Sequence, residues 1–250
     1  MSDLGQLTYY LGIEVHQYKG GIMLTQARYA RNILEEVGLS ACKLSHVPME
    51  LNVNLSKAPD ERNIDEGEFK RGIGCLRYLL HTRPDLSFSV GVLSRYMQEP
   101  KESHRAALKQ VLRHLHGTCD LGLVFSGGGI ADLVGYSDSS HNVDNDDGKS
   151  TLEARDCCST SCEAEFMAET KAAKQAIWLQ ELLAEVVGKD CQKNEQVEVE
   201  HVPGTEQKAD ILTKPLGRIK FNEMRSLIRV QDVSEEEFKL KGENVRISLK

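Results

Sequence analysis

The stretch "LTYYLGIEVHQYKGGIMLTQ" places β-branched and aromatic residues on both sides of Lys19-Gly20-Gly21, a pattern that predicts a β-hairpin turning at the glycines. The period then lengthens. In "QARYARNILEEVG", Ala27, Ala30, Ile33, Leu34 and Val37 recur at helical spacing, and Gly38 is placed to stop the helix. Residues 40–65 hold Pro48 and Pro59 among polar residues and carry no period, which reads as a long irregular connector. "EFKRGIGCLRYLLHTRPDLSFSVGVLSRYM" predicts two helices. Pro84 suits the first position of the second, and Leu86, Val90, Leu93 and Met97 share one of its faces. In "ESHRAALKQVLRHLHG", Leu108, Val111, Leu112 and Leu115 mark a further helix that Gly117 ends.

Beyond Thr118 the texture changes. "LGLVFSGGGIADLVGYSD" predicts two short strands joined at Gly127-Gly128-Gly129. "TSCEAEFMAETKAAKQAIWLQELLAEVVG" predicts the longest helix, with a Thr160–Glu163 capping box, Phe166, Ala173, Ile177 and Val187 on its inner side, and Gly188 as its cap. "VEVEHVPG" reads as one more strand, and "EQKADILTKPLG" as a short helix ended by Pro215. From Arg218 onward the chain reads as a charged, weakly periodic tail, in which "SEEEFKLKGEN" is expected to be mobile. The order of elements is that of a mixed α/β (α+β) protein, divided into residues 1–118, 119–217 and 218–250.

Composition narrows the class. A chain of 250 residues with 40% hydrophobic and 28% charged residues can bury a core of useful size and belongs with globular proteins. It offers no run of eighteen apolar residues, so no membrane partner is expected and a cytoplasmic or nuclear location is the default. The seven cysteines form no C-x-x-C pair, which points to reduced thiols rather than to a disulfide framework or a zinc ribbon; this includes the cluster "CCSTSC" at 157–162. The net charge of -7 weighs against coating of nucleic acid, although a local groove is compatible with it. Residues 101–200 hold 10 Lys+Arg against 18 Asp+Glu, a balance that suits metal ions better than phosphates.

Within that acidic half, Asp138 ends a short apolar run in "LVGYSDSS". The residues alone read it as a turn former, Glu165 as an acid at the positive end of its helix, and Asp210 as a first-turn acid. His104, His114 and His116 have no carboxylate or thiol in register and read as satisfied or solvated side chains rather than ligands. Val143 and Ala154 would fall where calcium ligands are required if Gly148 were the glycine of an EF-hand loop, so calcium is not expected.

Longer segments carry more information. "MSDLGQLTYYLGIEV", "CLRYLLHTRPDLSFSVGVLSRYM", "LKQVLRHLHGTCDLGLVF", "LVGYSDSS", "STSCEAEFMAETKAAKQAIWLQELL" and "VEVEHVPGTEQKADILTKPLGRIKF" stand in this order over most of residues 1–225. Together they resemble the Pol polyprotein of copia-type retrotransposons. The resemblance implies that the first half is the last part of a reverse transcriptase, with thumb-like helices, and that the second is an RNase H-like sheet-and-helix domain. It further implies hydrolysis of RNA in RNA–DNA hybrids by two Mg2+ ions, with other nucleic acids and other Pol chains as candidate partners.

On the family's motifs, Asp138, Glu165 and Asp210 match three of four metal-holding carboxylates. The third of the four has no match. Only "KDCQKNEQ" lies between Gly188 and "VEVEHV", too little for the strand, helix and strand that the family places there, and Asp190 has no apolar neighbours to fix it. The interval between Asp138 and Glu165 is also short for the family's two return strands, so the domain reads as truncated. Asp146-Asp147, the only Asp-Asp pair, lies in a polar run with no strand to hold it, so polymerisation by this sequence is not expected. Two adjacent divalent ions need several anchored carboxylates, and the expectation is therefore a catalytically impaired protein in which Mg2+ matters only if the site works. The alternative is a non-catalytic nucleic-acid- or protein-binding remnant using Arg71, Arg77, Arg83, Arg95, Lys109 and Arg113 of the helical half.

Overall fold

The computed structural model describes residues 5–18, 20–39, 42–51, 53, 55–126, 134–138, 161–187 and 199–232. The chain divides into two compact units, one of residues 1–129 with 215–250 and one of residues 130–214. Helices and an antiparallel sheet make the class mixed α+β, in agreement with the sequence pattern.

The first unit is built on a five-stranded sheet in the order β1 (Tyr9–Tyr10), β2 (Ile13–Tyr18), β3 (Gly21–Thr25), β4 (Gly122–Ser126) and β5 (Val230–Gln231). Strands β2 and β3 form the expected hairpin, with Tyr18 opposite Gly21. Strand β4 pairs with β3 in antiparallel register, Met23 opposite Val124, and β5 adds to its other side. Its partners are thus remote in sequence, one before and one after it. Gly21 shows why that register admits little else: its φ is +153°, and a Cβ there would lie 1.9 Å from the Phe125 carbonyl oxygen. Gly21→Ala is expected to cost about 2–3 kcal/mol in a urea titration through this backbone clash; a loss under 0.5 kcal/mol would contradict the strand register.

Four helices pack together in this unit. Helix α1 (Ala27–Glu36) buries Ala27, Ala30, Ile33 and Leu34, as its period predicts. It ends where Gly38, at φ +70°, lets the Leu39 amide reach the Leu34 carbonyl at 2.8 Å. Val37 is exposed. Helix α2 (Glu66–Leu79) is capped by the Asp65 carboxylate, which accepts from the Glu68 amide, and carries Glu66 and Glu68 in its first turn, where the helix dipole favours them. Pro84 begins a 3-10 turn (Pro84–Leu86) that runs into α3 (Ser87–Ser94). Leu86, Val90 and Leu93 are buried, but the helix stops before Met97, which is only half-buried. Helix α4 (Glu102–His116) contributes Leu108, Val111, Leu112 and Leu115 and ends at Gly117. With Phe69, Ile73, Leu76 and Leu79 of α2 these side chains form the core.

The irregular connector between α1 and α2 is held down by histidines. The His104 Nε2–H donates to the Ser56 carbonyl at 3.0 Å while its Nδ1 accepts from the Lys101 amide, and its ring stacks on Tyr96 at 4.0 Å. His114 Nδ1 bonds the Ser45 carbonyl at 3.2 Å. Val47, Met49 and Leu55 of the connector are buried as a result. The expectation of a satisfied side chain holds for His104, whose two ring nitrogens are both bonded, and for His114 at Nδ1 only; the sequence pattern could not reveal that connector carbonyls are their partners.

Several expected elements differ or lie outside the described residues. Arg218–Leu227 is a helix, α7, that buries Phe221 and Met224, and β5 follows it at once. Charged residues masked a two-anchor apolar stripe there. In the second unit, α5 (Ser161–Val187) is the long helix expected, but its buried side is not the one inferred: Phe166 and Ile177 are exposed and Ala168 is buried. Apolar residues are spread around this helix among charged ones, so the period gives no direction. Residues 134–138 and 199–203 carry no strand. Thr160, Gly188, the three glycines at 127–129, the acidic loop 139–150, Cys157 and Cys158, Asp190 and "SEEEFKLKGEN" lie outside the described residues, as does all of 233–250. Among the described residues no helix is long and apolar enough to cross a membrane.

Candidate functional site

Two of the three carboxylates inferred from the sequence meet in the second unit. Helix α6 (Asp210–Thr213) opens on Asp210, whose side chain is buried, and the chain leaves it through an extended Lys214 toward Pro215. Asp138 reaches the same place from the 134–138 segment. This segment is stitched to the region of α6: Gln207 Nε2 donates to the Ser137 carbonyl at 2.9 Å, and the Lys208 ammonium lies over the Tyr136 ring, 4.7 Å from its centre. Thr213 Oγ1 donates to Asp138 Oδ2.

The Lys214 ammonium joins the two acids. Its Nζ lies 3.0 Å from Asp210 Oδ1, 3.1 Å from Asp138 Oδ2 and 3.3 Å from Asp138 Oδ1. The spacing of four residues brings Lys214 back over Asp210, and the Lys214 amide also bonds the Asp210 carbonyl at 3.0 Å. Burial pulls the ammonium down, but the hydrogen bonds to Asp210 and Asp138 outweigh it and hold its pKa above the ordinary lysine range. Sequence reasoning missed Lys214. Its signal was the i, i+4 spacing to an acid already singled out.

Glu165 is exposed on α5, and no hydrogen bond or ion pair among the described residues joins it to the other two. Among the described residues no group of three or more His, Cys, Asp and Glu is arranged to hold a metal ion. Among the described residues the donor set at Asp138 and Asp210 has two carboxylates with an ammonium between them, which does not fit a pair of Mg2+ ions.

A second polar cluster lies in the first unit. Arg83 is buried and grips Asp85 with two bonds, Nε to Oδ1 at 2.9 Å and Nη2 to Oδ2 at 2.8 Å, while Nη1 reaches the Thr118 carbonyl at 2.6 Å. Arg83 is therefore committed to the interior and cannot serve a basic outer face. Arg71, Arg77 and Arg113 are exposed, and Arg95 and Lys109 are half-buried.

The family described as reverse transcriptase (RNA-dependent DNA polymerase) matches residues 1–51. The Retrovirus-related Pol polyproteins from transposons RE1 and RE2 of Arabidopsis thaliana are each 29% identical, over 93% and 90% of this chain. Over most of its length the chain is homologous to retrotransposon Pol polyproteins. A third relative, the Retrovirus-related Pol polyprotein from transposon TNT 1-94 of Nicotiana tabacum, is 30% identical over 74% of this chain and 16% of its own length. The chain spans about a fifth of the length of the RE1 and RE2 polyproteins, at 20% and 19%. No solved structure gives a significant match. At 93% and 90% of the chain, these two matches take in the stretch that holds Asp138 and Asp210.

Proposed function

We propose that this chain contains a reverse-transcriptase-like region and an RNase H-like region whose catalytic activity is impaired. One observation carries the reading: the two carboxylates that approach each other, Asp138 and Asp210, are closed on Lys214, and Glu165 is exposed on its own helix. In-line hydrolysis of a phosphodiester needs a rigid set of ligands that fix both the attacking and the leaving oxygen. Two acids bridged by an ammonium fix neither. Whatever hydrolysis remains is of RNA in an RNA–DNA hybrid, the activity implied by the family motifs around Asp138, Glu165 and Asp210.

A gel assay on an end-labelled RNA–DNA hybrid with Mg2+ tests this. The expected result is no shortening of the RNA strand above a control without protein, for wild type and Asp138→Asn alike. Cleavage by the wild type that disappears in Asp138→Asn would overturn it.

A further inference from the structure

We infer that Lys214 is a tethered counter-ion, the chain's own replacement for a divalent cation between Asp138 and Asp210. The inference deepens the reading of the acidic pair just given, but it stands on the ion-pair geometry and makes no use of hydrolysis.

Asp138 and Asp210 come from segments more than seventy residues apart and present oxygens to one point. Brought together alone, two largely buried carboxylates repel, and each loses hydration. Something positive must stand between them. The ammonium does so on three oxygens at 3.0, 3.1 and 3.3 Å. Three features make it a built part rather than a passing surface contact. Thr213, the neighbouring residue, donates its hydroxyl to the same Asp138. Gln207 and Lys208 hold the segment that carries Asp138 through Ser137 and Tyr136. The lysine backbone is bonded to Asp210, so its side chain starts from a fixed place.

The electrostatic consequence is specific. With Lys214 charged, a hydrated divalent ion must displace the ammonium to reach these oxygens. With Lys214 neutralised by substitution, the same oxygens lose the ammonium that lies between them. Lys214→Gln should then become loose without metal and recover with it.

The experiment is thermal unfolding of the full chain, wild type and Lys214→Gln, in EDTA and in millimolar Mn2+, with free Mn2+ followed by electron paramagnetic resonance. The wild-type midpoint should not move with Mn2+, and the wild type should bind none. Lys214→Gln should melt about 2–4 °C lower in EDTA, bind one Mn2+ and regain most of the loss. Adding Asp210→Asn to Lys214→Gln should abolish Mn2+ binding. Lys214→Arg, which keeps the charge, should behave as wild type; this comparison also guards against a general folding defect. A wild type that binds Mn2+ as well as Lys214→Gln does, or a Lys214→Gln midpoint equal to wild type in EDTA, would overturn the inference. The hybrid assay reads a different quantity: an inert wild type combined with an unchanged Lys214→Gln midpoint sinks this inference and leaves the proposed function standing.

Discussion

Asp85→Ala is expected to destabilise the first unit by about 3–5 kcal/mol, because it leaves the Arg83 guanidinium buried without its anion. The pair is enclosed. Arg83 is 2% exposed and Asp85 is 1%, so water cannot replace the missing partner. Burial by itself would raise the Asp85 pKa, but the charge of Arg83 and its two hydrogen bonds outweigh that and hold the carboxyl below the usual range. Arg83 also bonds the carbonyl and hydroxyl of Thr118, and so ties the start of α3 to the chain that leaves α4 for β4. Urea titration of the single variant against the double variant Arg83→Met/Asp85→Leu separates two causes. If the loss comes from an orphaned charge, the double variant recovers most of it. If it comes from the Thr118 tie, the double variant is no better than the single one. A single-variant loss below 1 kcal/mol would mean that Arg83 finds water or another anion.

The helical half was legible because its helices carry several apolar anchors each and clear stops, such as Gly38 after α1 and Gly117 after α4. Where the anchors are few, the pattern fails. Helix α7 turns on Phe221 and Met224 alone, set among Arg218, Lys220, Glu223 and Arg225. Where apolar residues surround the axis, as with Phe166, Ile177, Trp178 and Leu182 on α5, the period marks a helix but not its inner side. The acidic site divides in the same way. Lys214 stands four residues from Asp210, so that contact was within reach of local reasoning. The approach of Asp138 to Asp210 is a tertiary event that no local spacing encodes, and family motifs, not periodicity, pointed to the two together. Arg83 shows the reverse error: it was grouped with other cations by sign, while Asp85, two residues on, already offered it an interior partner.

His114 gives the second large effect, and it is one of pH. Its ring is buried against Phe221, with Nδ1 on the Ser45 carbonyl and Nε2 without a hydrogen-bond partner among the described residues. Burial lowers its pKa, and the charge of Arg83 adds to this, while Asp85 opposes them; the result is about 4, against 6.5 for a free histidine. A folded value below the unfolded one means that the unfolded chain takes up the proton first. The stability owed to neutral His114 is therefore fully present above pH 6.5 and drains away as the pH falls toward 4. On the order of 3 kcal/mol is at stake over that window. Asp85 has the same sign, but its loss sets in only as the unfolded carboxyl begins to protonate, at the lower end of the His114 window. His114→Gln keeps a donor for Ser45 and cannot titrate. Unfolding free energies measured by urea at pH 7, 5.5 and 4.5 should fall steeply in the wild type and remain nearly level in His114→Gln, with the two curves converging as the pH drops. Parallel curves would mean that the proton goes elsewhere and that the His114 ring is reached by water.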